Sequence, residues 1–431
     1  MNIQKKINIA ETVISFVLMS SAALMILITE HNYSTRLLLG ILLVSPILIP
    51  LRKYKCYRPS TPVKLLWAGN IIVAVFYGIA GIMFRNIAYL LIAATIAVVV
   101  PLLQIYVHSR SEEFTDNICF GSLMFAVFFL ILSFVAGPPL STEQFGGILF
   151  NQNSLGLVCI ALFPAGLTMC RENKLTAGMI IIGITTAFAY FSTSRTTILA
   201  ISLQLVYALF ILILDVIGKH SLLREKIKKI VLFVIVCVLS CFVLFWLFTS
   251  AKAIEAKMFP QIQMENIYGD TLTFDELYEK FGGHMGKGLD GEGDYSFSSG
   301  RIGIWKDYAE NLTFFGHKKE ERDQVISGTR IYVSTNAHNA YLQLAYGAGI
   351  PAGIGLLWIS LVAAYGCIKH SIRGLKSRNI SNKKYYSVLT VLGYGIVCIT
   401  SSSWMMFVHL PALMFWPMIL CLIEDKELVA E

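Results

Sequence analysis

Two arginines and a histidine stand out in this chain, because each is embedded in small polar residues inside an otherwise apolar sequence. Arg195 lies in the run Tyr190-Phe-Ser-Thr-Ser-Arg195-Thr-Thr, where Ser192, Thr193, Ser194, Thr196 and Thr197 surround a guanidinium with hydroxyl donors. Such a cluster suits phosphate oxygens, whose geometry the guanidinium fork matches. Arg301 follows Ser298-Ser-Gly, a turn that opens a helix and leaves backbone N–H groups beside the arginine, while Ile302, Trp305 and Tyr308 recur on one helical face. His338 lies in Ser334-Thr-Asn336-Ala-His338-Asn339-Ala-Tyr341. Asn336 is the expected helix cap, which sets the histidine in the first turn. A neutral imidazole is the side chain best suited to take a proton from an attacking hydroxyl near neutral pH. The uncharged run Gln144-Phe-Gly146-Gly147-Ile-Leu-Phe-Asn151-Gln-Asn153 predicts a tight turn whose amides face a polar cavity. Each signal also has a plain structural counterpart: a snorkelling arginine, a solvated surface helix, a histidine bonded to a loop carbonyl, an asparagine cap. Their co-occurrence and order carry the functional argument.

The elements that must position these residues are membrane helices. Of 431 residues, 56% are hydrophobic and 14% charged, too little polar surface to coat one soluble globule. The fold class expected is an all-α polytopic membrane protein. Apolar stretches predict about twelve spans, at 8–29, 36–51, 65–84, 86–107, 118–137, 153–170, 175–192, 197–217, 230–250, 339–367, 386–403 and 404–423. The tenth contains Gly347, Gly349, Pro351 and Gly353 and is expected to be kinked or partly interfacial. The first follows Lys5 and Lys6 but has no polar cleavage region, which favours an uncleaved helix over a signal peptide.

Basic residues orient the spans, because cytoplasmic loops retain Lys and Arg during insertion. Lys5, Lys6, Arg52, Lys53, Lys55, Arg58, Lys64, then Lys219 to Lys229, then Lys369 to Lys384 fall on one side. The opposite short loops hold only Arg36, Arg85 and Arg195. Both termini are therefore expected in the cytoplasm, and the candidate residues outside it. The net charge of +8 resides in short juxtamembrane loops, where anionic lipid headgroups rather than nucleic acid are the expected partner. Of nine cysteines, eight fall within apolar spans and Cys56 lies in a basic loop, so no disulfide framework or thiolate metal site is indicated.

The expected division is 1–250 as spans one to nine, 251–336 as an extracytoplasmic loop subdomain, and 337–431 as spans ten to twelve. The long loop holds ten Lys/Arg against fourteen Asp/Glu, a net of −4, with helical patterns at 273–281 and 301–312. A connector this long usually has a functional role, and it reads as a lid or binding subdomain. Asp290-Gly-Glu292-Gly-Asp294 resembles the first half of a calcium loop, but Tyr295 replaces the required glycine and Arg301 the closing glutamate. No metal site is predicted there.

The order of motifs resembles the bacterial O-antigen ligase and O-antigen polymerase superfamily over residues 144 to 365. A serine- and threonine-rich arginine turn comes first, then a long outer loop with Arg301-x-x-x-Trp305, then His338-Asn339, and last a Gly-x-Gly-Ile-Pro-x-Gly stretch. The resemblance implies an integral-membrane glycosyltransferase whose donor is a glycan on polyprenyl diphosphate and whose acceptor is a glycan or glycolipid. It implies the bacterial cytoplasmic membrane, with membrane lipids as partners and no nucleic acid. Carried onto matching motifs, it implies Arg195, Arg301 and His338 as catalytic residues. Ser194, Asn151, Asn153, Trp305, Asn339 and Arg85 are the candidate substrate contacts. Two guanidinium groups would neutralise the leaving diphosphate, so neither metal nor cofactor is required. A repeat-unit polymerase is slightly favoured over a ligase, since nothing in the chain points to a lipid A core as acceptor. The competing class is a transporter or flippase of lipid-linked glycan. Such proteins usually show two similar halves and midplane ionisable groups, whereas here the halves differ and Glu11 and Asp215 lie near span ends.

Overall fold

The computed structural model describes residues 59–109, 112–136, 145–149, 152–219, 223–258, 273, 275–279, 301–318, 337–377, 380–401 and 410–424. The expected spans at 8–29 and 36–51, Asn151, the acidic run at 290–294, the turn at 298–300 and Asn336 lie outside these residues. Among the described residues the chain is helical and contains no strand. In hydrocarbon every backbone N–H and C=O must be satisfied within its own segment, and a helix does this.

The helices in chain order are α1 (Thr61–Met83), α2 (Ile87–Ala94), α3 (Val100–Ser109), α4 (Glu112–Ala136), α5 (Gln152–Arg171), α6 (Leu175–Ser192) and α7 (Arg195–Lys219). There follow α8 (Leu223–Met258), α9 (Arg301–Glu310), α10 (Ala340–Ala348), α11 (Ile350–Ser377), α12 (Asn382–Thr400) and α13 (Leu410–Ile423). Among the described residues eight helical segments are long and apolar enough to cross a membrane. Seven of them coincide with the spans expected between 65 and 250. The span at 86–107 is α2 and α3 joined by a π-helical turn, Thr95–Val99. Pro101 explains the widening, since its ring would clash with the carbonyl four residues back and it has no N–H to donate.

The expected tenth span is corrected. The chain breaks at Gly349, with φ 101° and ψ 156°, so α10 is a separate nine-residue helix and the crossing segment is Ile350–Ser377. Only glycine fits that point: a Cβ there would collide with the carbonyl of Phe314. The Ile350 N–H donates to the Thr313 carbonyl at 3.0 Å, which staples the end of the long loop to the break.

Two compact units emerge. The first gathers the described residues of Glu112–Lys287 and Arg373–Gly393; the second gathers those of Ile28–Ser111, Gly288–Ile372 and Tyr394–Glu431.

In the first unit α5 is the centre, with 83% of its span buried, whereas α8 has 6% buried and lies at the rim. Small residues permit the close contacts of α5 with its neighbours. At Gly156 a Cβ would collide with the Thr197 hydroxyl of α7. Phe145 wedges among Phe188, Phe191 and Phe248, with edge-on contacts at 5.9 Å to Phe191 and 5.4 Å to Phe248. That wedge anchors the glycine pair, which turns as expected: Gly147 has φ 56° and opens a 3₁₀ turn, Gly147–Leu149. Within the long loop, Thr273 and Glu276 form a reciprocal capping box, the Thr273 N–H donating to Glu276 at 2.7 Å and the Glu276 N–H to the Thr273 hydroxyl at 3.3 Å. Helix 275–279 follows, where the sequence predicts one. These contacts hold the Glu276 carboxyl below its usual range.

In the second unit buried polar groups tie helices together. Trp67 of α1 donates to Gln104 of α3 at 3.0 Å, and Gln104 donates to the Trp416 carbonyl of α13 at 3.1 Å. Trp358 of α11 donates to the Leu65 carbonyl at 2.9 Å. In an apolar solvent such bonds stabilise helix association where the hydrophobic effect cannot.

Candidate functional site

In the first unit Arg195 opens α7 after a two-residue turn. Thr193 closes α6 in a left-handed conformation, φ 49° and ψ 20°. The hydroxyls that the sequence clusters around the arginine build this turn. Ser192 donates to the Ala189 carbonyl at 2.9 Å and accepts the Ser194 N–H at 3.3 Å. Thr193 donates to Gln152 at 3.4 Å, and Ser194 donates to Asn153 at 3.4 Å. Ser192, Thr193, Ser194 and Thr197 are buried, which leaves Arg195 and Thr196 half-exposed at the surface.

These bonds bring the N-termini of α5 and α7 side by side. Each helix start has backbone N–H groups without intrahelical partners and the positive end of a helix dipole. Arg195, the first residue of α7, adds its charge to these two ends, and positive potential of this kind suits phosphate oxygens. Asn153, at the exposed edge of α5, belongs to this cluster, as does Ser194.

In the second unit α9 packs on α10 through Tyr308 and Tyr346, whose rings lie 4.9 Å apart, with Ala337, Ile304, Leu312 and Leu342 around them. Arg301, Trp305 and Tyr308 are spaced four and three apart and so share one face of α9. The Trp305 indole N–H is buried and has no hydrogen-bond partner among the described residues. His317 stacks on the Tyr346 ring at 4.1 Å and bonds to its carbonyl at 3.1 Å, which fixes the chain after α9.

The cap of α10 is Asn339 rather than Asn336. Its side chain accepts from the Tyr341 and Leu342 N–H groups at 3.0 and 3.1 Å, and its amide donates to the Ile399 carbonyl at 3.2 Å. His338 therefore stands just before the helix instead of in its first turn, with φ 47°. That left-handed conformation is costly for a residue with a side chain and persists only where surrounding bonds hold it. Gln343 supplies one of those bonds, accepting the Ala337 N–H at 2.8 Å. Burial lowers the His338 pKa below its ordinary value, and the positive charge of Arg301 lowers it further. The imidazole is thus neutral at neutral pH and has a basic nitrogen.

Arg85 occupies the tight turn between α1 and α2, exposed and with φ 51°. Asn86 caps α2 by accepting from the Ala88 N–H at 3.0 Å. The contact of Tyr89 with Gly347 puts this turn on the end of the unit that carries α10.

The structure thus brings Ser194, Asn153 and Arg195 together in one unit, and Arg301, Trp305, His338 and Asn339 in the other. Sequence reasoning missed Gln152 and Gln343. Both are amides that hold a turn, and the only trace of them is a glutamine close to a helix start.

A search of curated proteins returns no match. Residues 179–357 match the model of the family described as O-antigen ligase, a stretch that contains Arg195, Arg301, Trp305, His338 and Asn339. Over that stretch the chain, an integral membrane protein with several crossing helices, is similar to the O-antigen ligase family.

Proposed function

We propose that this protein is a membrane glycosyltransferase that moves a glycan from polyprenyl diphosphate to a hydroxyl of a glycan acceptor, outside the cytoplasm. The feature that carries the reading is a half-buried His338 close enough to Arg301 for the guanidinium charge to add to the effect of burial in lowering its pKa. Base and anion-binding group in one place are what a hydroxyl attack on a diphosphate-linked sugar requires.

In the reaction the acceptor oxygen forms a bond to the anomeric carbon as the bond from that carbon to the diphosphate oxygen breaks. His338 accepts the hydroxyl proton. Arg301 and Arg195 neutralise the charge that develops on the departing polyprenyl diphosphate; guanidinium groups stay charged at any relevant pH. Trp305 offers its indole N–H to a substrate oxygen, and Ser194, Asn153 and Arg85 contact sugar or phosphate at the outer rim. Asn151 is proposed to share that role. Asn339 acts on the substrate through His338, because its amide is used in capping α10. On the topology read from the basic loops, all of these belong to the outer face of the bacterial cytoplasmic membrane, and both termini to the inner side.

We favour a repeat-unit polymerase. A reconstituted assay with a polyprenyl-diphosphate-linked repeat unit, with and without a separate acceptor lipid, tests this directly. Self-extension is the expected outcome. Strict dependence on the added acceptor would assign a ligase, and movement of intact donor across the bilayer without new glycosidic bonds would assign a flippase and end the proposal.

A further inference from the structure

The first unit contains a cavity of about 670 Å³ that the transfer reaction does not use. It is lined by the end of α5, the starts of α6, α8 and α12, and the last turns of α7. Arg195 and Asp215 stand at opposite ends of α7, so about 30 Å, a hydrocarbon thickness, separates the cavity floor from the proposed transfer site. The basic loop 219–229 follows directly, which assigns the cavity to the cytoplasmic side.

Its walls are Leu, Ile, Met, Phe and Val side chains, and its floor is polar. Ile230 and Val234 of α8 line it and are themselves exposed, 38% and 53%, so the mouth opens where bilayer lipid lies. At the floor Arg171 donates through Nε to Asp215 at 3.3 Å and through Nη1 to Asn382 at 2.9 Å, under the ring of Tyr385 at 5.0 Å. Asn382 donates to Glu172 at 2.9 Å, and Glu172 pairs with Lys174, which also pairs with Asp116 at 3.3 Å. This chain of bonds fixes the floor. Of this network the charged groups that line the cavity are Arg171 and Asp215, one cation and one carboxylate.

We propose that this cavity is a binding site for one zwitterionic phospholipid of the cytoplasmic leaflet, with an acyl chain along the apolar walls and the headgroup at the floor. The Nη2 amino group of Arg171 meets the phosphate, and Asp215 meets the ammonium. A headgroup with both charges matches a floor that presents both, whereas the Asp215 carboxylate opposes a purely anionic one. The volume lies within the range of about 300–1,000 Å³ usual for such sites. The occupant would brace the first part of α8, around Ile230 and Val234, against α6 and α7.

Native mass spectrometry of the purified full chain in mild detergent, titrated with phosphatidylethanolamine or phosphatidylglycerol, tests the site. The expected result is one retained phosphatidylethanolamine, preferred by about fivefold or more over phosphatidylglycerol. Asp215→Asn should level that preference, and Ala208→Trp, which fills the cavity from its α7 wall, should abolish retention. A preference for phosphatidylglycerol in the unaltered protein would assign the binding to the basic loops and overturn the proposal. So would retention unchanged by Ala208→Trp, or displacement of the lipid by free phosphoethanolamine. The readout is lipid mass, so a failure here leaves the transferase reading untouched.

Discussion

A histidine that serves as a base must remain uncharged in the company of cations, and His338 meets that condition through burial and the neighbouring charge of Arg301. Replacing it by alanine is expected to lower the transfer rate by about 10²–10⁴-fold, the usual contribution of a positioned base, with little change in protein level. The pH profile gives a sharper test. In the unaltered protein the acidic limb of kcat/KM should lie below about 6.5, the ordinary histidine value, because protonation removes the base only at lower pH. Arg301→Gln removes the positive charge that disfavours the imidazolium, so the residual activity should show its limb moved upward toward that value. An unmoved limb would separate the two residues. Arg195, Arg301 and His338 were conspicuous in the sequence because guanidinium and imidazole groups are rare among apolar spans and announce their chemistry by type. Their supporting amides were not. Gln152 and Gln343 bond to groups whose position depends on where a helix begins, and that start is set by packing as much as by the local run.

At the level of elements, the presentation of His338 rests on how α10 starts and stops. Asn339→Ala removes the cap and the bond to the Ile399 carbonyl, and is expected to cost about 1 kcal/mol of local stability. Because the histidine is displaced rather than deleted, kcat should fall while KM changes little, and Asn339→Asp, which keeps the accepting oxygen, should recover part of the rate. At the other end, Gly349→Ala forces a Cβ against the Phe314 carbonyl in a conformation that alanine avoids. Thermal unfolding in detergent should begin at lower temperature, and activity should be lost with it. The kink foreseen from Gly347, Gly349 and Pro351 was legible as a cluster of residues that do not continue a helix. Its conversion into two separate helices was not, since the reason is a backbone contact with residues 313–314, distant in sequence. The expected cap at Asn336 failed for a related reason: two asparagines three residues apart are equivalent in propensity, and the bonds to Tyr341 and Leu342 select the second.

For the whole molecule, loop charge predicts an orientation, while it says nothing of the arrangement of helices. Apolar residues that face lipid and those that face protein look alike in a membrane sequence, so the burial of α5 and the exposure of α8 could not be read in advance. Topology remains testable on its own: a reporter fused after Lys229 should be active in the cytoplasm and one near Asp290 outside it. Finding Asp290 inside would remove the basis for an outer site. The central claim concerns the joint action of two guanidinium groups and one imidazole on a diphosphate-linked glycan, and the most direct measurement is single-turnover transfer in proteoliposomes loaded with the repeat-unit donor. Arg195→Ala, Arg301→Ala and His338→Ala should each reduce the rate by about 10²-fold or more at unchanged thermal stability, with the double variants no worse than the sum of singles would imply. Transfer at the unaltered rate by His338→Ala, or by either arginine variant, would contradict the account.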